Sequence, residues 1–427
     1  MISIKEILAN REAVENALAK RMERPDFTEL LAKEDERRAV IASVEEKRRS
    51  QKQISAKMGK AKGDPEAMEA IKEESRVLRT EIQAEEEQLK EIQAWIKNYL
   101  LHLPNIPEDD VPAGGKEANE VIATHGTLPE FDFKTKDHYE LATSLGLVDF
   151  ERGVKIGGNG KWCYYGDGAL LEWGLLNFFI AQHRKNGYTF ILPPHILRTE
   201  SGTVAGQFPK FTEDVFYIQP DEGDEPTHFL LPTAETALAN FYANEIVPED
   251  QLPARFFGYT PCYRKEAGSY RTAERGTIRG NTFNKVEMFA VTKPEQSSEI
   301  FLQMVDQVVD IMNQLGLHFQ VSRLAAGDVS FGMAKTFDVE VWLPSINQFK
   351  EVSSVSNAHD FQALRGNIRY KDKEKKKNFH VHTLNGSGLA TSRVFPAILE
   401  QNQQADGSVK VPDVLVPFVG KEYLGRD

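Results

Sequence analysis

The sequence predicts an α+β protein in which an antiparallel sheet with flanking helices follows an N-terminal antiparallel α-helical coiled-coil hairpin. Three observations carry that prediction. The first hundred or so residues hold two long stretches nearly free of Gly and Pro, the second with apolar residues on alternating spacings of four and three. Beyond residue 115 strand-like segments follow one another without helices at regular intervals, which disfavours a doubly wound parallel sheet. Two blocks roughly a hundred residues apart alternate charged or polar groups with apolar ones, the pattern of strands that aim functional side chains onto one face.

Along the chain, residues 1–27 carry a short helical pattern (Ile4, Ile7, Leu8, Val14, Leu18) that stops near Pro25. A long helix is predicted from about Phe27 to Lys62. Gly63, Asp64 and Pro65 break it, with Asp64 able to cap and Pro65 to occupy the first turn of a second helix reaching about Tyr99. In that second helix Ile71, Ser75, Leu78, Ile82, Glu85, Leu89, Ile92 and Ile96 form a seam with two polar interruptions. The first helix answers more weakly with Ile41, Val44 and Met58. The hairpin, residues 28–99, would be ~50 Å long at 1.5 Å per residue.

A linker dense in Pro, Gly and Asp (103–115) sets the expected boundary between domains 1–103 and 104–427. A loop over 125–137, a short helix over 139–145 and a longer one over 169–185 are expected next, then a strand at 187–194 closed by prolines. Further strands are expected at 227–231, 255–263, 282–291, 337–342 and 349–354, a helix at 236–245, and a solvated charged hairpin at 371–377.

Composition bounds the functions open to it. The chain has 427 residues, 41% hydrophobic and 27% charged, an ordinary globular balance. No apolar run approaches the ~20 residues of a membrane span, and the start lacks a basic stretch followed by an apolar one. The expectation is a cytoplasmic protein with no membrane association. Cys163 and Cys262 are the only cysteines, so neither a disulfide framework nor a cysteine-built zinc site is expected. A net charge of −12 argues against indiscriminate nucleic-acid binding. The hairpin is nonetheless polarised: residues 33–62 hold ten basic and five acidic groups, residues 64–97 five and ten. Either the opposite signs help the helices pair, or the first helix, with Lys47, Arg48, Arg49, Lys52, Lys57, Lys60 and Lys62, meets a polyanion.

The first alternating block reads Arg264, Lys265, Glu266 and, after a loop rich in Gly, Arg and Glu, Arg279, Gly280, Asn281, Thr282, Phe283, Asn284, Lys285, Val286, Glu287. The second runs from Thr383 through Leu384, Asn385, Gly386, Ser387, Gly388, Leu389 and Ala390 to Arg393. Guanidiniums stay charged and grip oxygens in pairs, so Arg264, Arg279 and Arg393 suit a polyphosphate. Phe283 offers a flat face for a base, and Glu266 and Glu287 suit amino groups. This is the chemistry of amino-acid activation.

These blocks resemble motifs 2 and 3 of the class II aminoacyl-tRNA synthetases, and the helix before Gly187 with the strand ending at Pro194 resembles their motif 1, which builds a homodimer interface. Within the class the resemblance is to the bacterial-type seryl-tRNA synthetases. It is carried also by Leu231 to Glu235, Tyr263 to Ser269, Asp338 to Pro344, Glu351 to Asn357, Asp360 to Ala363 and His382 to Gly388. It spans essentially the whole chain, including the hairpin, which in that family reaches the long variable arm of serine tRNA. The metal-dependent archaeal variant is a poorer match.

The resemblance implies ATP and L-serine as substrates, Mg²⁺ with the ATP, and no zinc. Arg264 would hold the α-phosphate or the serine carboxylate, Glu266 the adenine amino group, and Arg279 the γ-phosphate. Phe283 and Arg393 would sandwich the adenine. Lys265, Val352, Ser353 and Ser354 would line the ATP site, and Glu351 would help place the magnesium. Thr233, Ala234 and Glu235 would bind the serine ammonium, and Glu287 with Asn385 and Ser387 its hydroxyl. Arg264, Arg279 and Arg393 would be catalytic. Lys47, Arg48, Arg49 and Lys52 would touch serine tRNA, and selenocysteine tRNA is a further substrate left open. Blander readings stand beside these. Thr233 could cap a helix, Gly386 and Gly388 could permit a close crossing of helix and strand, Phe283 could be core, and His380 with His382 a metal-facing pair.

Some positions depart from the family pattern: Asn281 and Thr282 stand where a His-Gln pair is usual, Val355 and Ala325–Ala326 where cysteines are common. The implied reaction is attack of the serine carboxylate on the α-phosphorus, release of pyrophosphate, and transfer to the tRNA 3′ end. Rivals are an amino acid:carrier-protein ligase, against which the hairpin argues, a non-catalytic regulatory paralogue, against which the intact charges argue, and a second, inhibitor-resistant copy of the enzyme.

Overall fold

The computed structural model describes residues 1–60, 64–220, 226–266 and 276–426. Lys62, Gly63 and residues 267–269, used above, lie outside them. The chain divides into two compact units: Ile2–Asn16 with Glu23–Leu103, and Met1 with Ala17–Met22 and Pro104–Asp427.

The smaller unit is built on helices α1 (Thr28–Lys60) and α2 (Pro65–Leu101). The eight seam positions predicted on α2 are its least exposed stripe, with Ile82, Ile92 and Ile96 fully buried. On α1 the deepest residues are Leu30, Glu34, Val40, Val44 and Ile54, so Ile41 and Met58 are only half-buried. The spacing 40, 44, 47, 51, 54, 58 is a heptad whose apolar positions are interrupted by Lys47 and Gln51. Those polar residues hide the repeat from a hydrophobic count. Lys47 is paired across the hairpin, its Nζ 2.9 Å from Glu81 and 3.1 Å from Glu85, while Ser43 donates to Glu85 at 2.8 Å. The seam's acidic interruption is thereby partnered.

The larger unit centres on an eight-stranded sheet. Its strands are β1 (Glu120–His125), β2 (Thr189–Ile191), β3 (Ala254–Tyr263), β4 (Thr282–Thr292), β5 (Phe319–Arg323), β6 (Lys335–Leu343), β7 (Gln348–His359) and β8 (His382–Ala390). They lie in the order β1-β5-β6-β7-β8-β4-β3-β2, antiparallel throughout except that β2 runs parallel to β3. One face carries Val286, Met288, Val339, Val341, Val355 and Leu384. Helices α3 (Asp167–Lys185), α4 (Ser297–Gln314) and α5 (Thr391–Gln401) cover it with Leu171, Leu175, Phe179, Met304, Val308, Phe395 and Ile398. The other face is apolar only towards one end, where Phe256, Phe289 and Val291 meet Ala234, Leu238 and Val381. The remainder of that face is polar.

Strands β1 and β5 and helix α4 are absent from the elements read off the sequence. The strand expected at 187–194 is only Thr189–Ile191. The helix expected at 236–245 is a five-residue turn, Ala234–Leu238. Asn240 ends it, its amide donating to the carbonyls of Thr236 at 2.8 Å and Ser201 at 3.0 Å, and Asn244 turns the chain with φ of 66°. Arg21 is fixed inside this unit by four backbone carbonyls, those of Asn105, Val329, Ser330 and Met333 at 2.7–3.0 Å. Among the described residues no helix is long and apolar enough to cross a membrane.

Candidate active site

Register builds the site. Glu287 on β4 lies opposite Gly258 of β3 and Ser387 of β8, Lys285 opposite Thr260, and Phe283 opposite Cys262. Side chains two apart share a face, so Phe283, Lys285 and Glu287 project together from the uncovered side of the sheet. Asn385 and Ser387 join them from β8, and Ser354 and Asp338, paired across β7 and β6, extend the polar row.

At its centre is a crowded polar cluster. Glu287 is buried, and its partners are the ammonium of Lys285, the hydroxyl of Thr233 at 3.4 Å and the amide of Asn385 at 3.4 Å. Lys285 also donates to Thr233 Oγ1 at 2.7 Å. The Oδ1 of Asn385 is buried with no donor on it. Thr233 does cap the short helix, accepting from the Glu235 N–H at 3.3 Å, so the blander reading and the functional one coexist. Glu235 accepts from the amide of Gln362 at 2.9 Å, and Gln362 accepts in turn from Thr383 at 2.7 Å. Burial, and then the charge of Glu287, push the Glu235 carboxyl up to about 7 against the pull of Lys285, Gln362 and Arg264. Ala234 is fully buried and offers the cluster only its backbone.

Beside this cluster stand the cations. The Arg264 guanidinium lies 5.3 Å from the centre of the Phe283 ring, and its Nε donates to the Pro232 carbonyl at 3.2 Å. Phe283 is half-buried, with an open face rather than a core position. Arg279 meets Glu266 at 2.5 Å, and Glu266 holds the left-handed backbone with φ of 48°. Arg393 donates to the Glu351 carbonyl at 2.7 Å and stands 3.4 Å from its carboxylate. Lys265 extends over the Tyr217 ring at 5.9 Å. Ser354 donates to Asp338 at 2.6 Å, and burial with the nearby charge of Glu351 holds the Asp338 carboxyl well above the usual range. Val352 and Ser353 turn into the sheet, Ser353 donating to the Ser387 carbonyl at 2.5 Å, so their side chains do not line the cleft.

Asn281 has a structural task. Its amide donates to the carbonyls of Arg264 at 3.1 Å and Lys265 at 2.8 Å, pinning the two halves of the first block. Gly388 meets its steric explanation: a Cβ there would come within 2.2 Å of Nε2 of the buried His183, which donates to the Gly388 carbonyl. Burial drives the His183 ring down to about 4, so it is neutral. Sequence reading missed Lys285, Gln362 and Asp338. The alternation that selects Phe283 and Glu287 selects Lys285 equally, but Gln362 arrives from a separate helix and leaves no local signal.

Comparison with known proteins now identifies the family. The model for the class II core domain of tRNA synthetases (G, H, P, S and T) matches residues 216–402, and that for the seryl-tRNA synthetase N-terminal domain matches residues 1–107. Serine–tRNA ligase 2 of Clostridium acetobutylicum is 51% identical over 99% of this chain and all of its own. The chain belongs to the seryl-tRNA synthetase family. A serine–tRNA ligase of Thermodesulfovibrio yellowstonii is 43% identical over 99% of this chain and all of that one. The seryl-tRNA synthetase of Pyrococcus horikoshii, solved with ATP, superposes with a TM-score of 0.92 at 32% identity and covers 99% of both chains. The match to the class II core domain spans β3, β4, β7 and β8, whose polar face carries the candidate site.

Gly388→Ala is expected to destabilise the protein by ~1–3 kcal/mol, the usual cost of forcing a methyl into packed surroundings. Thermal unfolding measures it, and adding His183→Ala should recover part of the loss. An unchanged midpoint for the single variant would contradict the close approach.

Proposed function

We propose that this chain is a serine–tRNA ligase: it activates L-serine with ATP, releasing pyrophosphate, and transfers the seryl group to the 3′ end of serine tRNA. The observation that carries the reading is the buried Glu287 cluster set beside Arg264 and Phe283 on one face of the sheet. A small substrate with an ammonium and a hydroxyl finds Thr233, Glu235, Glu287, Asn385 and Ser387 on one side. On the other side ATP finds Arg264, Lys265, Glu266, Arg279, Phe283, Ser354 and Arg393.

Phe283 stacks the adenine against Arg393, and Glu266 accepts from its amino group. Arg264 lies between the two substrates, where the serine carboxylate must approach the α-phosphorus, and it neutralises the charge that builds there. Arg279 holds the far phosphate. Catalysis is positioning and charge stabilisation, with no covalent nucleophile from the protein. Glu351, with the neighbouring Asp338, would hold a magnesium ion brought in with ATP. When bound, it neutralises phosphate charge. The unsatisfied Asn385 Oδ1 and the half-buried Glu235 leave acceptors for the substrate's donors.

Residues 1–103 form the tRNA-binding domain and 104–427 the catalytic domain. On the hairpin, Lys47 and Arg48 pair across to Glu81, Glu85 and Glu86, whereas Arg49, Lys52 and Lys57 are exposed and, among the described residues, not paired across it, Arg49 standing 3.9 Å from Glu45 on its own helix. The outward groups are better placed for phosphates. A homodimer through β2 and α3 accords with the exposure of Leu170, Trp173, Phe190 and Leu192 on and beside that sheet edge.

Serine-dependent ATP–pyrophosphate exchange should proceed without tRNA, with alanine slower by about 10⁴ because the acceptors around Glu287 would be left unpaired. Its kcat/KM should fall as pH drops below about 7, where Glu235 takes up a proton and loses its attraction for the ammonium. Equal rates with serine and alanine would refute the pocket.

Replacing Arg49, Lys52 and Lys57 together with glutamate should leave exchange intact and weaken serine-tRNA charging at least tenfold, more steeply as salt rises. Filter binding and aminoacylation measure this. Full charging by the triple variant would return the basic helix to a structural role.

A further inference from the structure

The amino-acid pocket already contains a cation. The Lys285 ammonium is buried between Thr233 Oγ1 and Glu287, two of the groups that the proposed function gives to the substrate. A serine entering the pocket brings a second ammonium. Two carboxylates line the space, and Lys285 treats them unequally. Glu287 is paired with it and is also reached by the Thr233 hydroxyl and the Asn385 amide. Glu235 accepts the neutral Gln362 amide, and among the described residues no cation lies within ion-pair distance of it.

Without Lys285 the two acids would compete for one ammonium. Neighbouring buried carboxylates do not both stay ionised, and either could take the cation. With Lys285, Glu287 is a charged acceptor whose counter-ion is supplied by the protein. It has need only of a neutral donor.

Resting on the serine-activation reading, we propose that Lys285 is the specificity-determining positioning residue of the pocket: by pairing with Glu287 it reserves that carboxylate for the substrate hydroxyl and leaves Glu235 to receive the substrate ammonium. The elevated affinity of Glu235 for a proton is what a carboxylate without a counter-ion displays, and the substrate ammonium supplies that counter-ion. The geometry also explains how a pocket for so small a side chain can reject alanine. An amino acid without a hydroxyl would bury the cluster with Asn385 Oδ1 still lacking a donor, whereas serine brings one beside the Lys285–Glu287 pair.

The test is amino-acid-dependent ATP–pyrophosphate exchange by the full chain, wild type against Lys285→Met, Lys285→Arg and the double variant Lys285→Met/Glu287→Gln. Lys285→Met should raise the KM for serine by about 10²-fold, leave the KM for ATP within about twofold, and lower the serine-over-alanine ratio at least tenfold. Lys285→Arg, which keeps the charge, should retain most of that ratio. The double variant removes both charges together, so it leaves no unpaired buried ion to prevent folding. It should activate serine and alanine within about tenfold of each other. A wild-type serine-over-alanine ratio in either the single Met variant or the double variant would overturn the proposal while leaving the function standing. A wild-type protein with no serine-dependent exchange would instead overturn the function and this proposal with it.

Discussion

A carboxylate, an ammonium and an amide (Glu287, Lys285 and Asn385) share the middle of one sheet face with almost no access to water, a second carboxylate (Glu235) stands beside them, and the rest of the site answers to that crowding. A buried charge needs a partner in place before any ligand arrives. Lys285 provides it for Glu287, Thr233 bridges the two, and Gln362 braces Glu235 from the adjoining helix. The cluster is fully connected except at Asn385 Oδ1 and in the elevated proton affinity of Glu235. Those two imbalances are where the chemistry of a small hydroxylated amino acid fits.

Rigidity follows from the opposite face. Helices α3, α4 and α5 bury Val286, Met288, Val355 and Leu384 from behind, so the strands that carry Phe283, Lys285, Glu287 and Asn385 have little freedom to shift register. Close approach adds to this, with His183 seated against the Gly388 backbone. Asn281 ties Arg264 and Lys265 back to the start of β4 through their carbonyls. Asn281, at one of the two positions where a His-Gln pair is usual in the family, therefore holds the backbone of Arg264 and Lys265.

Much of this was legible in the sequence, because period-two alternation reports which residues share a strand face. It puts Phe283 and Glu287 on one face of a strand, whereas the place of Asn385 and Ser387 in the site is what the family resemblance implies and Arg264 is marked by its guanidinium. Lys285 obeys the same period, but nothing in that period says that an ammonium belongs in a pocket for another ammonium. The resemblance puts Val352 and Ser353 with Glu351 and Ser354 in the ATP site, but a bulge in the pairing with β6 breaks the alternation there and both side chains are buried. The 4-3 seam of α2 was readable for the same periodic reason, while that of α1 was masked by Lys47 and Gln51 in apolar positions. Partners from distant segments, such as Gln362 on Glu235 or Glu81 and Glu85 on Lys47, leave no mark in local pattern. They decide which charges remain available. On a chain with 64 acidic and 52 basic groups, the pairing of Lys47 and Arg48 across the hairpin leaves Arg49, Lys52 and Lys57 as exposed cations of the first helix with no partner among the described residues of the second.

The cluster around Glu287 reads a single hydroxyl group. Calorimetric titration of the full chain with a non-hydrolysable seryl-adenylate analogue, and with the same compound lacking the side-chain hydroxyl, measures that recognition apart from catalysis. The deoxy compound should bind at least about 10³-fold more weakly, since it leaves the buried Asn385 Oδ1 without a donor. Affinities within tenfold of each other would contradict it.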